Sequence, residues 1–153
     1  MNTKAFYIIA IDPGITTGIA AMGFALGEIS CARLLQAKES LVDLVDAVAA
    51  ISTGMPVRPK ALVIEDFTLP HRVHGPQEAK TTLLYIGALT YWALHEGLDI
   101  VYITPAETKA FGMQRVCEAT GMTPAEMRRV PHAADAVRVG LAYWCKCYRK
   151  GHV

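Results

Sequence analysis

The stretch that decides the fold is FYIIAIDPGITTG, Phe6 to Gly18. Six mostly apolar residues in succession read as a strand buried on both faces rather than one with a wet side. An aspartate, Asp12, stands at its far end, followed at once by Pro13 and Gly14. Aspartate favours turns, which is one reading of Asp12. The other is that it holds something, because a carboxylate at the edge of a core is costly to desolvate unless it is paired.

Working outward, Gly18–Met22 returns as the hairpin partner of this strand, with Pro13–Thr17 as the turn, and Ile29–Leu35 is a third strand. The period then changes. Leu41, Leu44, Val45 and Val48 fall at i, i+3, i+4 and i+7, the spacing of an amphipathic helix, with Ser40 placed to cap it. A Gly- and Pro-containing loop, GMPVRPK (Gly54–Lys60), leads into ALVIEDF (Ala61–Phe67), a second short apolar run that meets acid near its end. After the polar loop TLPHRVHGPQ, a long helix is expected from Gln77 to His95, DIVYITP as another buried strand, and a last helix from Ala133 to Tyr148 with a strongly apolar face. The order β-β-β-α-β-α-β-α describes an α/β fold, a mixed sheet with helices packed on it.

Composition narrows the class. A chain of 153 residues with 52% hydrophobic and 19% charged residues is no disordered tail, and its length suits one domain, residues 1–153. No apolar run is long enough to span a bilayer and no secretory leader is evident, so a cytoplasmic location is expected. Cys31, Cys117, Cys145 and Cys147 have neither metal-site nor disulfide-framework spacing and read as reduced, partly buried thiols. A net charge of +1 means that any basic surface must be local.

Two expected strands thus carry a carboxylate near their C-terminal ends, Asp12 and Glu65. Far downstream, in PHAADAVRVGLAYW, His132 and Asp135 are three apart and share one helical face, although His132 after Pro131 also has the reading of a simple cap. Asp66 points to the other side of its strand from Glu65 and reads as a solvated carboxylate. If Asp12, Glu65, His132 and Asp135 converge, three carboxylates repel one another without a cation. Oxygen-rich sets of this kind suit Mg²⁺ or Mn²⁺, the imidazole being better tolerated by Mn²⁺.

With these residues in place the chain resembles the RuvC-like Holliday junction resolvases of the RNase H-like superfamily. The resemblance rests on IAIDPGITTG, ALVIEDF, PAETKAFG and HAADAVRVGLAYW in that order, from about residue 6 to residue 146. It implies an RNase H-like mixed five-stranded sheet with helices on both faces. It also implies a metal-dependent endonuclease that resolves four-way DNA junctions by paired nicks, as a homodimer with no organic cofactor. Asp12, Glu65, His132 and Asp135 are then the metal site, holding two Mg²⁺ or Mn²⁺ ions, with Asp12 bridging. Family members have either aspartate or histidine at the place of His132.

The resemblance further implies that Lys109 lies near the scissile phosphate; its other reading is an ordinary exposed helix lysine. Gly14 permits a tight hairpin, and Gly18 removes a side chain beside the site, so that a phosphodiester backbone could approach. Gly14, Arg72, Lys80, Lys109 and Arg115 are the candidate DNA contacts. Where family members place an aromatic three residues after the glutamate, this chain has Thr68, with Phe67 one earlier and His71 and His74 nearby as substitutes. Leu83, Leu84, Gly87, Tyr91 and Leu94 share a helix face that serves either as core or as the dimer contact. Within the same fold, a nuclease of broader branched-DNA or hybrid preference and a catalytically silent branched-DNA binding protein are the alternatives.

Overall fold

The structure is a computed structural model that describes residues 5–25, 28–37, 40–67 and 76–149. Among the described residues, five strands form one sheet in the order β3-β2-β1-β4-β5. They are β1 (Phe6–Asp12), β2 (Thr17–Ala25), β3 (Glu28–Ala37), β4 (Ala61–Glu65) and β5 (Asp99–Ile103). The first three are antiparallel neighbours, while β4 runs parallel to β1 and β5 parallel to β4, so the sheet is mixed.

The apolar run that opened the reading is the central strand. Ile8, Ile9, Ala10 and Ile11 are all fully buried, and so are Leu62, Val63 and Ile64 beside them. Strand alternation divides these residues between two cores. Ile8, Ala10, Ala20, Met22, Ala61 and Val63 face α6 (Pro131–Arg149), whereas Ile9, Ile11, Ile19, Leu62 and Ile64 face α1 (Leu41–Thr53) and α2 (Pro76–His95). Helices therefore cover both faces. The first layer is thin because it is built from small residues. Gly140 of α6 lies so close to the sheet that a Cβ there would come within 2.2 Å of Met22 Sδ.

Several expectations are met with shifted ends. Ser40 caps α1, its Oγ accepting from the Asp43 N–H. The last helix begins at Pro131 rather than Ala133, so His132 lies inside its first turn. The four thiols are free and half-buried, as expected. No helix among the described residues is long and apolar enough to cross a membrane.

Other expectations are corrected. DIVYITP is an edge strand, not a buried one: within β5 only Ile103 is buried, and Tyr102 is exposed. Between β5 and α6, three unexpected short helices appear, α3 (Pro105–Thr108), α4 (Met113–Thr120) and α5 (Pro124–Met127). Two of them begin with the same four letters, Thr-Pro-Ala-Glu at 104–107 and 123–126. In both, the glutamate reaches back to the N–H of the threonine, at 2.8 Å, closing a capping box with proline at the first helical position. Gly14 does not occupy the left-handed region that would require glycine, and Thr17 Oγ1 closes the turn by donating to its carbonyl at 2.9 Å.

Candidate active site

Parallel pairing of β1 with β4 sets Ile11 beside Ile64, so Asp12 and Glu65 follow side by side at the carboxyl ends of neighbouring strands. Both belong to the alternation that faces α6. The first turn of α6 lies over the same rim because Gly18, opposite Asp12 in the hairpin, has no side chain. A Cβ on Gly18 would stand 1.8 Å from the His132 carbonyl oxygen. The glycine, which removes a side chain beside the site as expected, admits the start of the protein's own helix.

His132 Nδ1 lies 3.2 Å from Asp12 Oδ2, and donor atoms of Asp12, His132 and Asp135 all lie within 4.8 Å of one another. The His132 backbone N–H donates to Gln36 Oε1 at 2.9 Å, which ties the helix start to β3. Asp12 is the most enclosed member, its side chain 14% exposed against 44% for His132. Burial, then the charges of Asp135 and Glu65 and a hydrogen-bond contact with Glu65, push the Asp12 carboxyl up to about 8; Arg138 opposes this. The rim thus sets one enclosed carboxyl, Asp12, beside Glu65 and the more open Asp135, and ionising Asp12 next to them is unfavourable without a cation.

Each flanking carboxylate has a holder. Thr108 Oγ1 donates to Glu65 Oε1 at 2.8 Å, and Arg138 Nη1 donates to Asp135 Oδ1. Glu65, Thr108, Lys109, Asp135 and Arg138 line a cleft of about 440 Å³ together with Pro105 and Phe111. Lys109 is exposed at the C-terminal end of α3, at the mouth of this cleft. Asp66 is exposed, as expected of a solvated carboxylate, but lies just past the end of β4 rather than within it, and its backbone N–H donates to the Ile103 carbonyl.

The other candidate residues are dispersed. Arg115 lies on α4, paired with Glu118 at 2.7 Å, and lines a separate hollow with Ile29 and Trp144. Lys80 is exposed on α2 and Gly14 lies in the β1–β2 turn. Arg72, Thr68, His71 and His74 fall outside the described residues; Phe67 is half-buried just beyond β4. Gln36, Thr108 and Arg138 were not singled out from sequence. Arg138 had a signal, since the i, i+3 spacing that joins His132 to Asp135 also joins Asp135 to Arg138.

Comparison with solved structures places the fold. Thermus thermophilus RuvC in complex with a Holliday junction substrate superposes with a TM-score of 0.73 at 18% identity, over 95% of this chain and 96% of that one. The chain has the RuvC fold. Fowlpox virus resolvase in complex with Holliday junction DNA shares the RuvC fold with a TM-score of 0.61 at 14% identity, over 89% and 97% of the two chains. The yeast mitochondrial Holliday junction resolvase Ydc2 gives 0.60 at 10% identity, over 89% and 76%. No protein-family model and no curated protein matches the sequence.

Proposed function

We propose that this chain, as a single nuclease domain over residues 1–153, is a divalent-metal-dependent DNA endonuclease that resolves four-way junctions by paired nicks. The observation that carries the reading is the meeting of Asp12, His132 and Asp135 within 4.8 Å, beside Glu65, at the rim of a RuvC fold. The donor set suits the group it would hold: oxygens from three carboxylates and one imidazole fit Mg²⁺ or Mn²⁺, and the raised Asp12 carboxyl marks a place where positive charge is wanted.

Bound there, two such ions would supply an activated water and charge stabilisation for the departing oxygen. The chain's own residues supply the rest. Asp12, from the central strand and nearest to all the others, is the ligand suited to sharing. Thr108 orients Glu65 and Arg138 orients Asp135. Lys109, exposed and lining the same cleft, would offset the negative charge that grows on the phosphate. Paired nicks require two copies, and the exposed side chains of Leu83, Leu84, Tyr91 and Leu94 on α2 support a homodimer contact over the alternative of core packing.

The test is a nicking assay on a synthetic four-way junction with Mg²⁺, with Mn²⁺ and with EDTA, against a linear duplex of the same sequence. Symmetric metal-dependent nicks confined to the junction are expected. Cutting of every substrate would replace the junction resolvase with a nuclease of broader specificity. Tight junction binding without cutting would leave a branched-DNA binding protein.

A further inference from the structure

Two residues outside the candidate ligand set each take up one oxygen of a candidate ligand. Thr108 is buried, 5% exposed, and its single hydroxyl proton is divided between Glu65 Oε1 at 2.8 Å and the Pro105 carbonyl at 3.0 Å. The ionised carboxylate is the stronger acceptor of the two. Arg138 is anchored at both ends of its guanidinium. Nε donates to the Phe111 carbonyl at 3.0 Å while Nη1 holds Asp135 Oδ1, and the side chain is only 22% exposed. The backbone carbonyl fixes the plane of the group, and the charge on it is permanent. An oxygen already accepting from a fixed cation or a buried hydroxyl has one lone pair engaged and part of its charge neutralised, so it is the weaker of the two oxygens as a metal ligand.

The consequence concerns which ion fits. Ca²⁺ takes about six to eight oxygens and readily binds both oxygens of a carboxylate, whereas Mg²⁺ demands a near-octahedral shell and keeps water alongside one or two carboxylates. We infer that Thr108 and Arg138 set the ion selectivity of this site: by engaging one oxygen each of Glu65 and Asp135 they confine both carboxylates to single-oxygen ligation, favouring Mg²⁺ and Mn²⁺ over Ca²⁺. The inference rests on the metal-site reading above and assigns both residues as positioning residues.

Calorimetric titration of the full chain with Mn²⁺ and with Ca²⁺, in the absence of DNA, tests it without reference to cleavage. Thr108→Val, which keeps the volume, and Arg138→Met, which keeps the aliphatic stem, are each expected to shift the ratio of the two affinities toward Ca²⁺ by about tenfold, the scale on which residues supporting a ligand act. Thr108→Ser restores the hydroxyl and is expected to keep the wild-type ratio. An unchanged ratio in both variants, or equal weakening of both ions as a merely structural role would give, overturns the inference. If Arg138→Met does not fold by its thermal melt, Thr108→Val decides alone. Asp12→Asn separates the two levels of the argument: if it binds Mn²⁺ as well as wild type does, the metal-site reading fails, and the selectivity inference with it.

Discussion

The backbone of Gly18 lies directly beneath the carbonyl of His132, so close that a methyl group on Gly18 would stand 1.8 Å from that oxygen and 2.8 Å from the Ala133 nitrogen. A hairpin residue on β2 thereby sets how near α6 comes to β1, and with it the 3.2 Å approach of His132 to Asp12.

Gly18→Ala is consequently expected to displace the start of α6, since backbone on both sides leaves no flexible side chain to yield. A loss of about 3 kcal/mol in a urea unfolding curve is expected, at the upper end of overpacking effects. Gly112, whose Cβ would meet nothing within 4 Å, is the control: Gly112→Ala should cost no more than about 1 kcal/mol, the scale of a poorer N-cap on α4.

Asp12→Asn keeps the shape of the side chain and removes the charge nearest to the other three groups. Junction cleavage should fall by about a thousandfold, the scale of losing a main electrostatic contribution to a transition state, while junction binding in a gel-shift assay persists. Cleavage at the wild-type rate would remove Asp12 from the reaction.

The same residue governs the pH dependence of the metal-free protein. Its carboxyl lies near 8 when folded against 3.8 ordinarily, so between those values the native state binds more protons than the unfolded state. Stability therefore falls as pH rises through this window, and the loss is complete above it. In EDTA, the urea midpoint should be lower at pH 8.5 than at pH 5, and Asp12→Asn should flatten the difference. Mn²⁺ at pH 8.5 should restore wild type but not the variant.

Leu84 is 53% exposed and Tyr91 75% on the outer face of α2, so charging that face should not disturb the core. Light scattering is expected to find wild type as a dimer and Leu84→Glu/Tyr91→Glu as a monomer with an unchanged thermal melt. A doubly substituted protein of unchanged mass would place any dimer contact elsewhere.

Much of the fold was legible because its signals are local. The apolar runs ending in Asp12 and Glu65, the helical period after Ser40 and the His132–Asp135 spacing each lie within a few residues of chain. The two Thr-Pro-Ala-Glu capping boxes were equally local and went unread, so α3 and α5 were missed, and with them α4, which opens on Gly112 without a side-chain cap. Tyr102 shows a limit of another kind, since an apolar run reads the same in an edge strand as in a central one.

By itself, then, the sequence determined the order of the strands and of the three long helices, the central strand and the four residues proposed as metal ligands, because periodicity, turn chemistry and residue type are properties of short segments. Apart from the local Arg138–Asp135 pair, tertiary structure decided what holds those residues and their holders. Thr108 meets Glu65 across 43 positions, Arg138 meets Phe111 across 27 and His132 meets Gln36 across 96. Such contacts arise from strand register and from how closely α6 can lie on the sheet, and no local pattern encodes either. The outer face of α2 was decided in the same way: its apolar spacing is the same whether it is covered or bare, and only the packed fold leaves it bare.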